Sequence, residues 1–175
     1  MIRQETGVVM KPAAFVKGFI LVLLGMIAGC TAGISEQARS QVTFWGTFPE
    51  LQAEPERHQG EVVLLGGRII ETLVAEASSE IIVLQLPLNR NNQPLNNDQS
   101  QGRFVVRSSQ FLDPAVYTKG ILLTVVGRVV SSEKRPIGEM DYLYPVLEPI
   151  EIKKWSLEDL ESPRIHFGIG VGTHF

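Results

Sequence analysis

The sequence predicts an all-β fold, a small OB-like barrel of five strands with one short helix between strands 3 and 4, preceded by a signal-peptide helix. Three observations lead there. Runs rich in Val, Ile and Leu recur at 61–74, 80–86 and 121–130, too short and too β-branched for long helices. Pro, Gly and Asn clusters separate them, as turns do. Between the third and fourth strands stands Asp113-Pro114-Ala115-Val116-Tyr117, an N-cap, a first-turn proline and one or two helical turns. A helix at that point is how an OB-fold closes one end of its barrel. An open antiparallel sheet or a two-layer sandwich is the alternative.

In chain order, 41–48 reads as a short first strand outside the main five, and 49–60, with Pro49 and Pro55, as loop or short helix. The first main strand is 61–74; its Gly66-Gly67 pair predicts a bulge or a sharp bend. Strand two is 80–86, ended by Pro87. The stretch 89–102, NRNNQPLNNDQSQG, lacks the apolar surface to pack and is assigned as loop. Strand three is 103–108, and strand four is 121–130 with Gly127 inside it. A turn is predicted over 131–138, then a fifth strand over 139–153 bent by Pro145 and Pro149, and a short helix at 156–161.

The N-terminal stretch has a different character. Lys11 and Lys17 precede an uncharged apolar core of 11 residues, 18–28, followed by small residues and Cys30. That is the layout of a secretory signal peptide. As a helix the core spans roughly 16 Å, about half a bilayer's hydrocarbon. Ile27-Ala28-Gly29-Cys30 is similar to a bacterial lipobox. There the cysteine sulfur takes a diacylglycerol as a thioether, the chain is cut before it, and the new amine is acylated with palmitate. Cys30 is the sole cysteine, so the thiol has no disulfide partner within the chain. Thr31 stands where an aspartate favours inner-membrane retention, so the expectation is the outer membrane. The domain reading is a lipoprotein signal peptide over 1–29 with a true start at either Met1 or Met10, a lipidated tether over 30–40, a β-domain over 41–161, and a C-terminal tail or edge strand over 162–175.

From Cys30 onward 13 basic and 18 acidic residues remain, a formal charge of −5. No basic footprint for nucleic acid or anionic lipid is present. The expected partners are the membrane, through the anchor, and an envelope protein; no nucleic acid, metal or cofactor is expected.

The ordered set of motifs resembles the Slp family, the starvation-inducible outer-membrane lipoproteins of Gram-negative bacteria. It comprises the lipobox at Cys30, Gly66-Gly67-Arg68-Ile69, Gln85-Leu86-Pro87-Leu88 and Gly102-Arg103-Phe104. Phe111-Leu112-Asp113-Pro114 with Tyr117 and Gly120 follows, then Thr124, Gly127, Gly138-Glu139, Tyr142, Tyr144, Pro145 and Trp155. The resemblance implies an outer-membrane location and carries no catalytic residues.

Side-chain chemistry offers few candidates. His166 and His174, eight apart, stand roughly 27 Å from each other on one strand. Neither they nor His58 predict a metal site. Serine lacks a Gly-x-Ser-x-Gly elbow. Glu139 and Asp141 share a strand face, most simply a solvated one. Arg68, Arg103 and Arg107 form the candidate ligand face: an OB-like surface carrying arginines suits an anionic strand or a saccharide. The competing reading pairs them, with Arg128, to Glu61, Glu71 and Glu80 outside the barrel. The expected function is therefore a non-enzymatic structural or interaction lipoprotein, with an envelope binding module as the alternative. The tail 164–175, RIHFGIGVGTHF, alternates apolar residues with His and Gly. It is similar to the closing strand of an outer-membrane barrel but suits an edge strand of this domain, a segment pairing with a partner's sheet, or a frayed end.

Overall fold

A computed structural model describes residues 33–97 and 99–156. The predicted signal-peptide helix, Cys30 and the tail lie outside them. The described chain forms α1 (Glu36–Arg39), α2 (Phe48–Ala53), a 3-10 turn (Pro55–His58) and strands β1 (Val62–Val74), β2 (Ser79–Leu86), β3 (Arg103–Ser108), β4 (Leu122–Ile137) and β5 (Met140–Trp155). The strands close into a barrel in the order β1-β2-β3-β5-β4, with β4 returning to β1. All neighbours are antiparallel except β3 and β5, which run parallel.

Alternation decides what fills the barrel. Val63, Leu65 and Ile69 of β1, Ile81 and Val83 of β2, Phe104 and Val106 of β3, and Leu123, Val125 and Val129 of β4 point inward with Leu147 of β5. Side chains one residue off this register face out. Two plugs close the interior. Phe48 and Leu51 of α2 enter beside Gly102, at the start of β3. Leu112 enters after its end. Helix α2 starts with Pro49 in its first turn, and the Thr47 backbone N–H donates to the Glu50 carboxylate at 2.9 Å.

Several sequence expectations change. The helix foreseen between strands 3 and 4 is a single turn, in which the N–H groups of Val116 and Tyr117 both donate to the Asp113 carbonyl. Leu112 N–H donates to Ser79 Oγ, the Tyr117 carbonyl accepts from Thr72 Oγ1, and Gly120 N–H donates to the Ile69 carbonyl, so the backbone on either side of the turn bonds to β1 and β2. The predicted strand over 41–48 is irregular: Thr43 and Phe44 both donate to the Val62 carbonyl, which leaves no ladder. Gly66-Gly67 makes no bulge; the register shift falls between Ile69 and Glu71. The Gly67 requirement is close approach, since a Cβ there would lie 2.2 Å from the Leu84 carbonyl oxygen. Gly127 and Pro149 do coincide with a shift in the β4–β5 ladder.

The stretch read as a tether is docked from its described start. Ser35 caps α1 by accepting from Ala38 N–H at 3.2 Å, and its own N–H donates to Glu151 of β5 at 2.9 Å. Ile34, Ala38 and Val42 then pack on Val62 and Val126, outside the barrel. Of the three only Ala38 lies in α1; Ile34 precedes the helix and Val42 follows it.

The predicted turn over 131–138 is strand. β4 and β5 continue as a hairpin to Ile137 and Met140, joined through Gly138 at φ +62°. This arm runs past the barrel wall and is central to the candidate site.

Candidate functional site

The candidate arginines sit on the outer face of β1, β2 and β3. Arg68 is opposite Leu84, and Leu84 is opposite Arg103, so the two arginines share one row with a leucine between them. Two strand spacings separate them, about 10 Å. Arg68 donates from Nη2 to Asn96 Oδ1 at 2.6 Å, in the Asn-rich loop. At Arg103 the backbone N–H donates to the Tyr142 hydroxyl at 3.0 Å. Arg107 lies four residues beyond Arg103, about 13 Å along the strand. The three guanidinium groups do not meet in one groove.

Arg107 is instead one corner of an ion-pair quartet. Its Nε donates to Glu80 Oε1 at 2.7 Å, and its Nη2 pairs with Glu133. Arg135 closes the ring, with Nη2 at 2.7 Å from Glu80 and 2.6 Å from Glu133. Glu80 and Arg107 are cross-strand partners on β2 and β3, whereas Glu133 and Arg135 belong to the arm. The arm thus lies over the β2–β3 face, which is the ligand face in other OB-like barrels. Beneath it Val105, Tyr144 and Val146 are buried, with Ile82, Val130, Ile137 and Tyr142 packed around them. Tyr142 meets Tyr144 edge-on at 5.0 Å between centroids. Gln52 of α2 donates to the Leu143 carbonyl at 3.3 Å and fixes the arm from the other side.

The quartet's charges are partly withdrawn from water, which by itself would raise the carboxyl pKa values of Glu80 and Glu133. The hydrogen bonds and charges of Arg107 and Arg135 outweigh that and hold both below the ordinary carboxylate value of 4.5. Both groups titrate lower in the folded chain than in the unfolded one. Their stabilisation is therefore complete above pH 4.5 and drains as the pH falls below it, through the lowered values. We expect the urea midpoint of the parent to fall between about pH 5.5 and 3 by more than that of Glu133→Gln, which keeps one of the two carboxylates. Equal losses would remove the quartet from the account.

The Asn-rich loop is also tied down. Asn89 Oδ1 accepts from Asn91 and Gln93 N–H groups, and the Asn92 carbonyl accepts from Thr124 Oγ1. Buried Thr124 Oγ1 in turn accepts from the Trp155 indole N–H at 2.9 Å. One hydroxyl so links β4, the end of β5 and this loop. His58 stacks edge-on against Phe44 at 4.6 Å and faces Glu61 at 3.4 Å, a packed position. Glu139 and Asp141 are exposed beside the arm's turn. Among the described residues no three His, Cys, Asp or Glu side chains gather as a metal site would require.

Sequence reasoning missed Glu133 and Arg135 because it read their segment as a turn. The signal was present in matched spacing about Gly138-Glu139: Glu133 and Arg135 are two residues apart, as are Tyr142 and Tyr144, and Glu133 faces Tyr144 while Arg135 faces Tyr142.

Three relatives align over most of the chain. A Haemophilus influenzae chain named "Uncharacterized protein" is 29% identical over 140 residues, 79% of this chain and 75% of its own length. The Escherichia coli "Uncharacterized lipoprotein YeaY" is 24% identical over 132 residues, 75% of this chain and 68% of that one. The Escherichia coli "Outer membrane protein Slp" is 22% identical over 146 residues, 82% and 77% respectively. The family model of the outer membrane lipoprotein Slp family matches residues 27–169, which includes Cys30, the whole barrel and its arm, and this chain belongs to that family.

Proposed function

We propose that this protein is an outer-membrane lipoprotein, joined to the bilayer by diacylglycerol on the Cys30 sulfur and palmitate on its amine. It presents a small β-barrel to the periplasm in a structural or interaction role without catalysis. The observation that carries the reading is Ile27-Ala28-Gly29-Cys30 at the end of an apolar segment. Supporting it, the family match begins at Ile27.

A lipid on Cys30 would leave the barrel little slack. Three residues of chain lead from Cys30 to Gly33, at most about 11 Å. Ile34 is already buried against the barrel, and a Cβ on Gly33 would lie 3.8 Å from the Asn91 carbonyl oxygen. Such a short leash would keep the Asn-rich loop, with its uncharged amides and Arg90, near the headgroups. The alternative, an anionic or saccharide ligand on Arg68, Arg103 and Arg107, requires Arg107 to leave Glu80 and Glu133.

Density-gradient separation of envelopes, with protease added to intact and to permeabilised cells, tests the reading. The expected chain bands with the outer membrane and is cut only after permeabilisation. Banding with the inner membrane would refute the location; cutting in intact cells would refute the orientation.

A further inference from the structure

The barrel wall has an open seam. β3 and β5 pair only at Val105–Val146 and Val106–Leu147. Beyond Leu147 the next position but one is Pro149, which lacks an N–H, and the ladder shifts there. The two strands part, and a groove of about 370 Å³ opens between the end of β3 and residues 148–152 of β5. Among the described residues no strand pairs with this edge of β5. The groove is mostly polar, lined by Ser108, Gln110, Glu148 and Glu151, with a smaller apolar strip from Leu112 and Ile152. Leu112 and Ile152 also belong to or pack on the main core, so the seam reaches the barrel interior. Ile150 is 38% exposed, and Phe111, next to the groove, is 69% exposed.

We propose that the occupant of this seam is the chain's own C-terminal segment, centred on 165–169, laid antiparallel along the free edge of β5. The argument rests on where the chain goes and what it carries. β5 ends at Trp155, and 19 residues follow the last described one. Residues 156–164 reach up to about 30 Å, enough to turn back along β5, and Ser162-Pro163 stands where the return begins. Sequential strands tend to lie side by side. Ile165, Phe167 and Ile169 alternate with His166 and Gly168. One face of such a strand is apolar, to meet Leu112, Ile150 and Ile152; the other is small or polar, to meet water. Backbone groups of β5 left over by the split at Pro149 gain partners, as in strand addition to a sheet edge.

Amide hydrogen exchange on the purified full-length lipoprotein in detergent micelles tests this. In the parent, amides of 165–169 and of 150–152 exchange slowly together. In Phe167→Asp the amides of 150–152 exchange at least about tenfold faster, while those of Val63 and Val83 in the core are unchanged and Phe167→Leu restores protection. Exchange of 165–169 at the rate of an unstructured chain in the parent overturns the proposal without any variant. Equal rates at 150–152 in all three proteins overturn it as well. Protection that appears only as protein concentration rises also overturns it, and assigns the strand to a second copy.

Discussion

Gly67→Val prevents the barrel from closing. Gly67 points inward on β1, opposite Gln85 of β2 and Leu123 of β4. An added Cβ would stand 2.2 Å from the Leu84 carbonyl oxygen and 2.5 Å from Val83 Cγ1. The first obstacle is backbone, so no rotamer change relieves it; the β1–β2 ladder has to spread. Overpacking a well-filled core costs about 1–3 kcal/mol even when side chains can yield. Here the backbone of β2 must also shift, and we expect a loss at or above about 3 kcal/mol, a large part of the roughly 5–15 kcal/mol typical of a domain. Circular dichroism and urea titration will report an unfolded or strongly destabilised chain. Gly138→Asn is the control. Its site has φ +62° with nothing within 4 Å, and asparagine tolerates that conformation, so the midpoint will move little. A Gly67→Val midpoint near the parent's would contradict the close approach of β1 to β2.

Cys30→Ser removes the protein from the outer membrane. A hydroxyl does not form the thioether, so neither the diacylglycerol nor the acyl group on a new amine is gained. Each buried methylene contributes about 0.8 kcal/mol, and one chain alone gives only marginal, reversible binding, while two or more hold stably. The formal charge from Cys30 onward is −5, so net electrostatic attraction to anionic headgroups does not replace the lipid. At least about a tenfold fall in the outer-membrane fraction is expected, with no incorporation of labelled palmitate. Retention of the label in Cys30→Ser would place the acyl chains elsewhere.

Much of the barrel was legible because its strands are rich in β-branched and aliphatic residues and are separated by turn-forming clusters. The strands stand out as continuous Val, Ile and Leu runs bounded by Gly, Pro and Asn. Because β1 and β2 are apolar at successive positions, the sequence does not show that Val63, Leu65, Ile69, Ile81 and Val83 are the ones that face inward. The arm was illegible for the opposite reason. Ser131 to Pro136 is polar, and its contacts are charge pairs with β2 and β3, not core burial, so it imitates a turn. Ile34, Ala38 and Val42 dock on the barrel, but three isolated apolar residues amid polar ones resemble a linker. The Asp-Pro at 113–114 marks the start of one turn, and the backbone on either side of it is bonded to β1 and β2. Of the candidate face, the pairing of Arg107 with Glu80 follows from cross-strand register, whereas its second pairing depends on the arm and could not be read from β3 alone.

The family and its expected place in the envelope were carried by short motifs spread from Cys30 to Trp155. The fold explains several of them physically: Gly67 for close approach, Thr124 for the hydroxyl that links Trp155 to the loop, and Tyr142 for its bond to Arg103. These residues hold the barrel and its arm together, and the proposed lipid on Cys30 holds the assembly to the membrane.

Intact-mass measurement of the protein purified from native envelopes tests that attachment most directly. The account predicts a chain that begins at Cys30 and is heavier than its residues by a diacylglycerol and one further acyl group. A chain that retains residues before Cys30 and carries an unmodified thiol would contradict it.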